Sequence, residues 1–156
     1  MEIRVYTNSE ELPQLDCSNF FHSQELFWMI EHTPRMSPCM AIAQDESGKV
    51  YGQILAIIRH RFTFLPFHLF DHARIYGEGT YDNNTTFNDK SQLFSDLINT
   101  LVKHLKAHGC RHIEISHISK KMFGYKALRK QRFFPVPWTQ IHNSLHSKQP
   151  EERAED

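Results

Sequence analysis

The chain has 156 residues, 40% hydrophobic and 12% aromatic, enough to bury one core without disulfide or metal staples. Eighteen basic residues balance 18 acidic ones, which argues against a large basic footprint for DNA or other nucleic acid. Cys17, Cys39 and Cys110 are scattered and odd in number, so neither a disulfide framework nor a Cys-x-x-Cys zinc motif is expected. The start Met-Glu-Ile-Arg lacks a basic region followed by an apolar run, and Tyr51 to Ile58 is too short to span a bilayer. A cytoplasmic protein without a membrane span is expected.

Alternating Ile3 and Val5 predict a first strand ending at Tyr6. Ser23 is placed to cap a helix over about 24–31, with Leu26, Phe27 and Ile30 on one face, and Thr33-Pro34 ends it. A hairpin follows: a strand over 40–43, a turn at Asp45-Glu46-Ser47-Gly48-Lys49, and a return strand over 50–59. Val50, Gly52, Ile54, Ala56 and Ile58 are expected on one face of that strand, and Tyr51, Leu55 and Ile57 on the other. Both faces are apolar, as in a central strand covered on two sides. Phe62, Phe64, Phe67 and Phe70 then mark an aromatic loop, either buried or a docking patch.

Ala73 to Tyr76 reads as a strand closed by Gly77-Glu78-Gly79. Asn88 or Ser91 is the expected cap of the strongest helix, whose stripe is Leu93, Phe94, Leu97, Ile98, Leu101, Val102 and Leu105. Gly109 stops it. Ile113 and Ile115 alternate in a strand, a helix is expected over about 120–131, and Phe133 to Val136 begins a closing strand. Residues 1–146 form one expected domain. Ser147 to Arg153 reads as a helix beginning, so 147–156 is a tail or the start of a shortened helix.

This α/β order resembles the GNAT fold, a central mixed, mostly antiparallel sheet flanked by helices. Phe21-His22-Ser23, Pro38 to Ala43, Arg74 to Tyr81, Lys121 to Tyr125, Phe133 to Trp138 and Asn143 to Ser147 resemble, in order, the first GNAT half of FemAB-like proteins of the Bacteroides type. The resemblance implies an N-acyl or aminoacyl transferase domain, with aminoacyl-tRNA as donor and a peptidoglycan precursor as acceptor. It also implies a second GNAT-like domain, or a homodimer in its place. The alternatives are a self-sufficient N-acetyltransferase using acetyl-CoA, and a catalytically empty GNAT-like binding domain.

Arg74-Ile75-Tyr76-Gly77-Glu78-Gly79 has the spacing of a GNAT pyrophosphate loop, whose backbone N–H groups cradle an anion. Glu78 sets a carboxylate there, however, and a tight turn needing positive φ is the simpler reading of the glycines. Tyr76, Gly77 and Gly79 are the cofactor-binding candidates. Tyr81 and Tyr125 are the catalytic candidates, Tyr125 as a proton donor to a leaving thiolate and Tyr81 by its place beside the glycine turn. Lys121 and Arg129 are the substrate-binding candidates, in a late basic cluster that either meets a phosphate or is a solvated helix face. Among the 11 histidines, His104 and His108 share a helix face four residues apart, but no third ligand can be placed and no metal is assigned.

Overall fold

The structure is a computed structural model that describes residues 1–15, 18–60, 71–116 and 122–136. Six strands, β1 (Glu2–Tyr6), β2 (Met36–Gln44), β3 (Val50–Arg59), β4 (His72–Tyr76), β5 (Thr80–Tyr81) and β6 (His112–Ser116), form one sheet. Its order is β1-β2-β3-β4-β6, with β5 paired to β3 beyond the end of β4. Every pairing is antiparallel except β4 with β6. A parallel pair needs a long crossover, and α2 (Phe87–Ala107) supplies it.

The two faces of the sheet carry different side chains. Cys39, Ala41, Ala43, Ile54, Ala56, Ala73 and Ile75 face α2 and its stripe, all seven predicted members of which are buried. The four alanines allow a thick helix to lie close to the strands. On the other face Met40, Ile42 and Leu55 pack beneath Leu26, Phe27 and Ile30 of α1 (Gln24–Glu31). Ser23 caps α1 as expected, its Oγ accepting the Leu26 N–H at 3.1 Å. Cys39 and Cys110 are buried free thiols, and burial pushes Cys39 up to about 12.

Four expectations are corrected. The pairing shifts register between Ala43 and Gln44, so Val50 and Tyr51 together oppose Gln44. This bulge reverses the alternation: Val50 joins the α1 face and Tyr51 the α2 face. The cap of α2 is Thr86, not Asn88 or Ser91, because the backbone is extended there (φ −69°, ψ 161°). Thr86 Oγ accepts the Asp89 N–H and its hydroxyl donates to the Asp89 carboxylate, a reciprocal pair akin to a capping box. The last described helix, α3 (Gly124–Lys130), starts later than expected. Finally, Phe133 to Val136 is not a strand. Arg132 turns left-handed (φ 66°) and the Phe133 N–H donates to the Leu128 carbonyl, so a helix-ending motif uses the N–H that a ladder would need. The aromatic loop over 62–70 and the tail over 147–156 lie outside the described residues.

Candidate functional site

The site grows out of a break in the β3–β4 ladder. The last β3–β4 pair is Ala56 with Ile75, and the ladder resumes on β5 with Gln53 opposite Thr80. Between them Ile54 and Leu55 face four residues, Tyr76 to Gly79. Two surplus residues must leave the sheet plane, and the strand swells into a wide bulge.

His22 fills the break. It ends a short 3-10 turn (Phe20–His22) held by the Asn19 side chain, immediately before the Ser23 cap. The Leu55 N–H donates to its Nδ1 at 3.0 Å, and its Nε2–H donates to the Tyr76 carbonyl at 2.6 Å. Leu55 and Tyr76 would be the next antiparallel partners after Ala56 and Ile75, so the imidazole stands between two groups that a continuous ladder would join. The Gln53 amide fixes the turn by donating to the His22 carbonyl at 2.6 Å. Burial pushes His22 down to about 4, against the opposing pull of its bond to Tyr76. It is therefore a neutral wedge at physiological pH.

Both glycines of the bulge have positive φ, 79° at Gly77 and 92° at Gly79. Gly79 also has no room: a Cβ there would sit 2.6 Å from the Gln53 carbonyl oxygen. The Gly77 N–H donates to the Ser116 carbonyl of β6 at 2.9 Å. Among the described residues, no backbone oxygen accepts from the N–H of Glu78 or Gly79. The Glu78 carboxylate turns inward and accepts the N–H of Gly124 at the start of α3, a helix whose own N-cap, Phe123, offers no side-chain bond. Burial raises its pKa, and the bond to Gly124 opposes the rise.

A cleft of about 560 Å³ opens beside the bulge. The turn before α1 contributes Asn19 and Phe21, the bulge contributes Tyr76 through Tyr81, α2 contributes Lys90, and Met122 and Phe123 close it from below α3. Phe21 stacks on Tyr76 at 5.1 Å, and the Arg74 guanidinium lies 4.9 Å from the same ring. Phe123 meets Tyr81, Phe87 and Phe94 edge-on at 5.6–5.9 Å. The cleft therefore has aromatic walls, a polar backbone head and one described cation, Lys90.

Tyr76, Gly77, Gly79 and Tyr81 line this cleft together. The Tyr81 hydroxyl donates to the Glu78 carbonyl, and burial pushes its pKa up. It holds the bulge in shape, which is a positioning role. Tyr125 and Arg129 lie on α3 and are not among the lining residues; the Arg129 guanidinium donates to the Phe133 carbonyl at 3.1 Å. Lys121 lies outside the described residues. His22 and Lys90 were not singled out from sequence. Lys90 follows the Thr86 cap by one helical turn, so a correct cap assignment would have pointed to it. His22 carries no local signal.

No family model matches the chain, and no curated protein matches it in sequence. Solved structures do match. An aminoglycoside N-acetyltransferase in complex with CoA is similar over 92% of this chain and 98% of its own, at 15% identity and TM-score 0.57. The fold is the GNAT fold. A probable acetyltransferase is similar over 81% of this chain and 78% of its own, at 9% identity and TM-score 0.54. Glucosamine-6-phosphate N-acetyltransferase from Arabidopsis thaliana is similar over 94% of this chain and all of its own, at 15% identity and TM-score 0.50. At such identities the likeness speaks for the fold alone.

Proposed function

We propose that this GNAT-fold chain is an N-acyltransferase that takes its acyl group from an acyl-CoA thioester and uses the cleft beside the Tyr76–Tyr81 bulge. The observation that carries the reading is the pair of peptide N–H groups, Glu78 and Gly79, left without a backbone acceptor where the ladder is interrupted. Backbone N–H groups are ordinarily paired, and Glu78 and Gly79 both line the cleft, so a ligand oxygen there would supply the missing acceptor.

The residues present suit such a cofactor at both ends. At the head of the cleft, the two N–H groups match a thioester carbonyl. Donors of this kind each lower a barrier by about 3 kcal/mol when charge develops on the oxygen they hold. Toward α2, Lys90 supplies positive charge for a diphosphate. The neighbouring Asp89 carboxylate is turned onto the Thr86 hydroxyl. The aromatic pair Phe21 and Tyr76 walls the arm between them. Acyl-CoA, when bound, supplies the activated acyl carbon. Tyr81 and His22 keep the bulge open without titrating near neutrality, one by its bond to Glu78 and the other as a neutral wedge.

The FemAB-like reading shares this fold and differs in its donor, aminoacyl-tRNA, and in its need for a companion domain or second copy. Of its substrate-binding candidates, Lys121 lies outside the described residues, and Arg129 bonds the Phe133 carbonyl and stands off the cleft. Acyl-CoA is therefore the donor we favour. Calorimetric titration with acetyl-CoA is expected to show binding tighter than about 100 μM, equivalent to about −5.5 kcal/mol. Lys90→Ala is expected to weaken it at least fivefold with an unchanged melting temperature. Absence of binding by the wild-type chain at millimolar acetyl-CoA would overturn the proposal.

A further inference from the structure

Strands β4 and β6 run parallel, with His72 in register with His112 and Arg74 with Glu114. All four side chains lie on the face away from α2, because Ala73, Ile75, Ile113 and Ile115 pack toward it. This brings two imidazoles and a carboxylate together from segments 40 residues apart. One donor atom from each of His72, His112 and Glu114 lies within 4.8 Å of the other two. His72 Nε2 is 3.2 Å from Glu114 Oε2, and the two imidazole rings meet edge to face at 4.5 Å.

From this geometry we infer a binding site for a divalent first-row transition ion of the zinc class. Nitrogen and oxygen ligands at about 2.1 Å from a tetrahedral ion stand about 3.4 Å apart, close to the His72–Glu114 separation. His112 is exposed, so rotation of its ring brings in the third ligand. The carboxylate is already oriented: Arg74 holds Oε1 at 3.2 Å, which leaves Oε2 toward the histidines. Arg74 is itself braced against Tyr76. Two imidazoles and one carboxylate favour zinc and its neighbours over calcium or magnesium, which prefer all-oxygen shells.

The ion joins the two parallel strands where they enter the sheet, while the cleft opens at the far end of β4, from Tyr76 onward. Because an assembled site exists only in the folded chain, binding adds to stability. The other histidine pair provides an internal control. His104 of α2 and His108 at its C-cap stack at 4.1 Å, and no third ligand joins them among the described residues.

The full chain, freed of metal by chelation, is titrated with zinc against a chromophoric competitor, and its melting temperature is read with and without zinc. One equivalent is expected to bind, with a rise in melting temperature. His112→Ala and Glu114→Gln are each expected to weaken zinc binding at least tenfold and abolish the rise. His104→Ala is expected to change neither. His112 is exposed, so its variant should fold, and circular dichroism checks that it does. Wild-type affinity retained in His112→Ala and Glu114→Gln, or lost in His104→Ala instead, would overturn the site, as would a wild-type chain that competes for no zinc.

Discussion

Two histidines act on the same strands from opposite ends, and they do opposite things. His22 lies inside the β3–β4 ladder and divides it, taking the Leu55 N–H and the Tyr76 carbonyl for itself. His60 lies just past the end of β3 and ties strands together. Its Nε2 is 2.8 Å from Ser37 Oγ on β2, and its Nδ1 is 2.8 Å from Asp71 Oδ2 at the entry to β4. Both are imidazoles with both nitrogens engaged. The difference is whether the ring replaces a backbone pairing or extends beyond one. Replacement interrupts the ladder beside the Tyr76–Tyr81 bulge; extension adds a side-chain link between β2 and the start of β4.

The widest separation between the two is expected from truncation. His22→Ala leaves two buried backbone groups without partners and a side-chain void, at a cost of about 1–3 kcal/mol for each group. Urea denaturation should show a loss of about 2–6 kcal/mol, and a smaller loss would mean that β3 and β4 rejoin. The pH dependence separates them as well. Folded His22 protonates only near pH 4, whereas the unfolded residue does so near 6.5. As pH falls from 6.5 to 4, the unfolded chain takes up a proton that the folded chain refuses. This contribution is complete above about pH 6.5 and falls by about 3 kcal/mol across that window. His22→Gln should flatten the slope.

The bulge that His22 creates is tested next by its two glycines. Gly79→Ala meets both a positive φ and the Gln53 carbonyl, and is expected to cost about 2–4 kcal/mol. Gly77→Ala meets open space, so only the left-handed penalty of about 1–2 kcal/mol applies. Equal losses by thermal denaturation would mean that the bulge relaxes freely. The last test lies at the other end. His60→Ala takes a partner from the buried Asp71 carboxylate and should cost about 1–3 kcal/mol, with acetyl-CoA titration unchanged. A loss as large as that of His22→Ala would show that the stitch matters as much as the wedge.

The strands and helices were largely readable because their signals are local. The α2 stripe repeats at helical spacing, Ser23 stands before a helix, and Gly77 and Gly79 stand where a strand must stop. The bulge at Val50 and Tyr51 was not readable, since apolar residues on both faces give alternation no preferred sense. Of the cleft, the Tyr76–Tyr81 segment was legible. The turning of Glu78 onto Gly124, the wedge made by His22 and the place of Lys90 beside the cleft were not.

The order of the chain thus determined the elements, the buried stripe and the place of the glycine turn, through periodicity and backbone preference over a few residues. Only the tertiary structure decided what those elements do together. His22 meets Leu55 and Tyr76 across 33 and 54 residues, and His72 meets Glu114 across a parallel register that no spacing announces. Contacts of that range depend on how β3, β4 and β6 lie side by side, and that arrangement exists only once the core has closed.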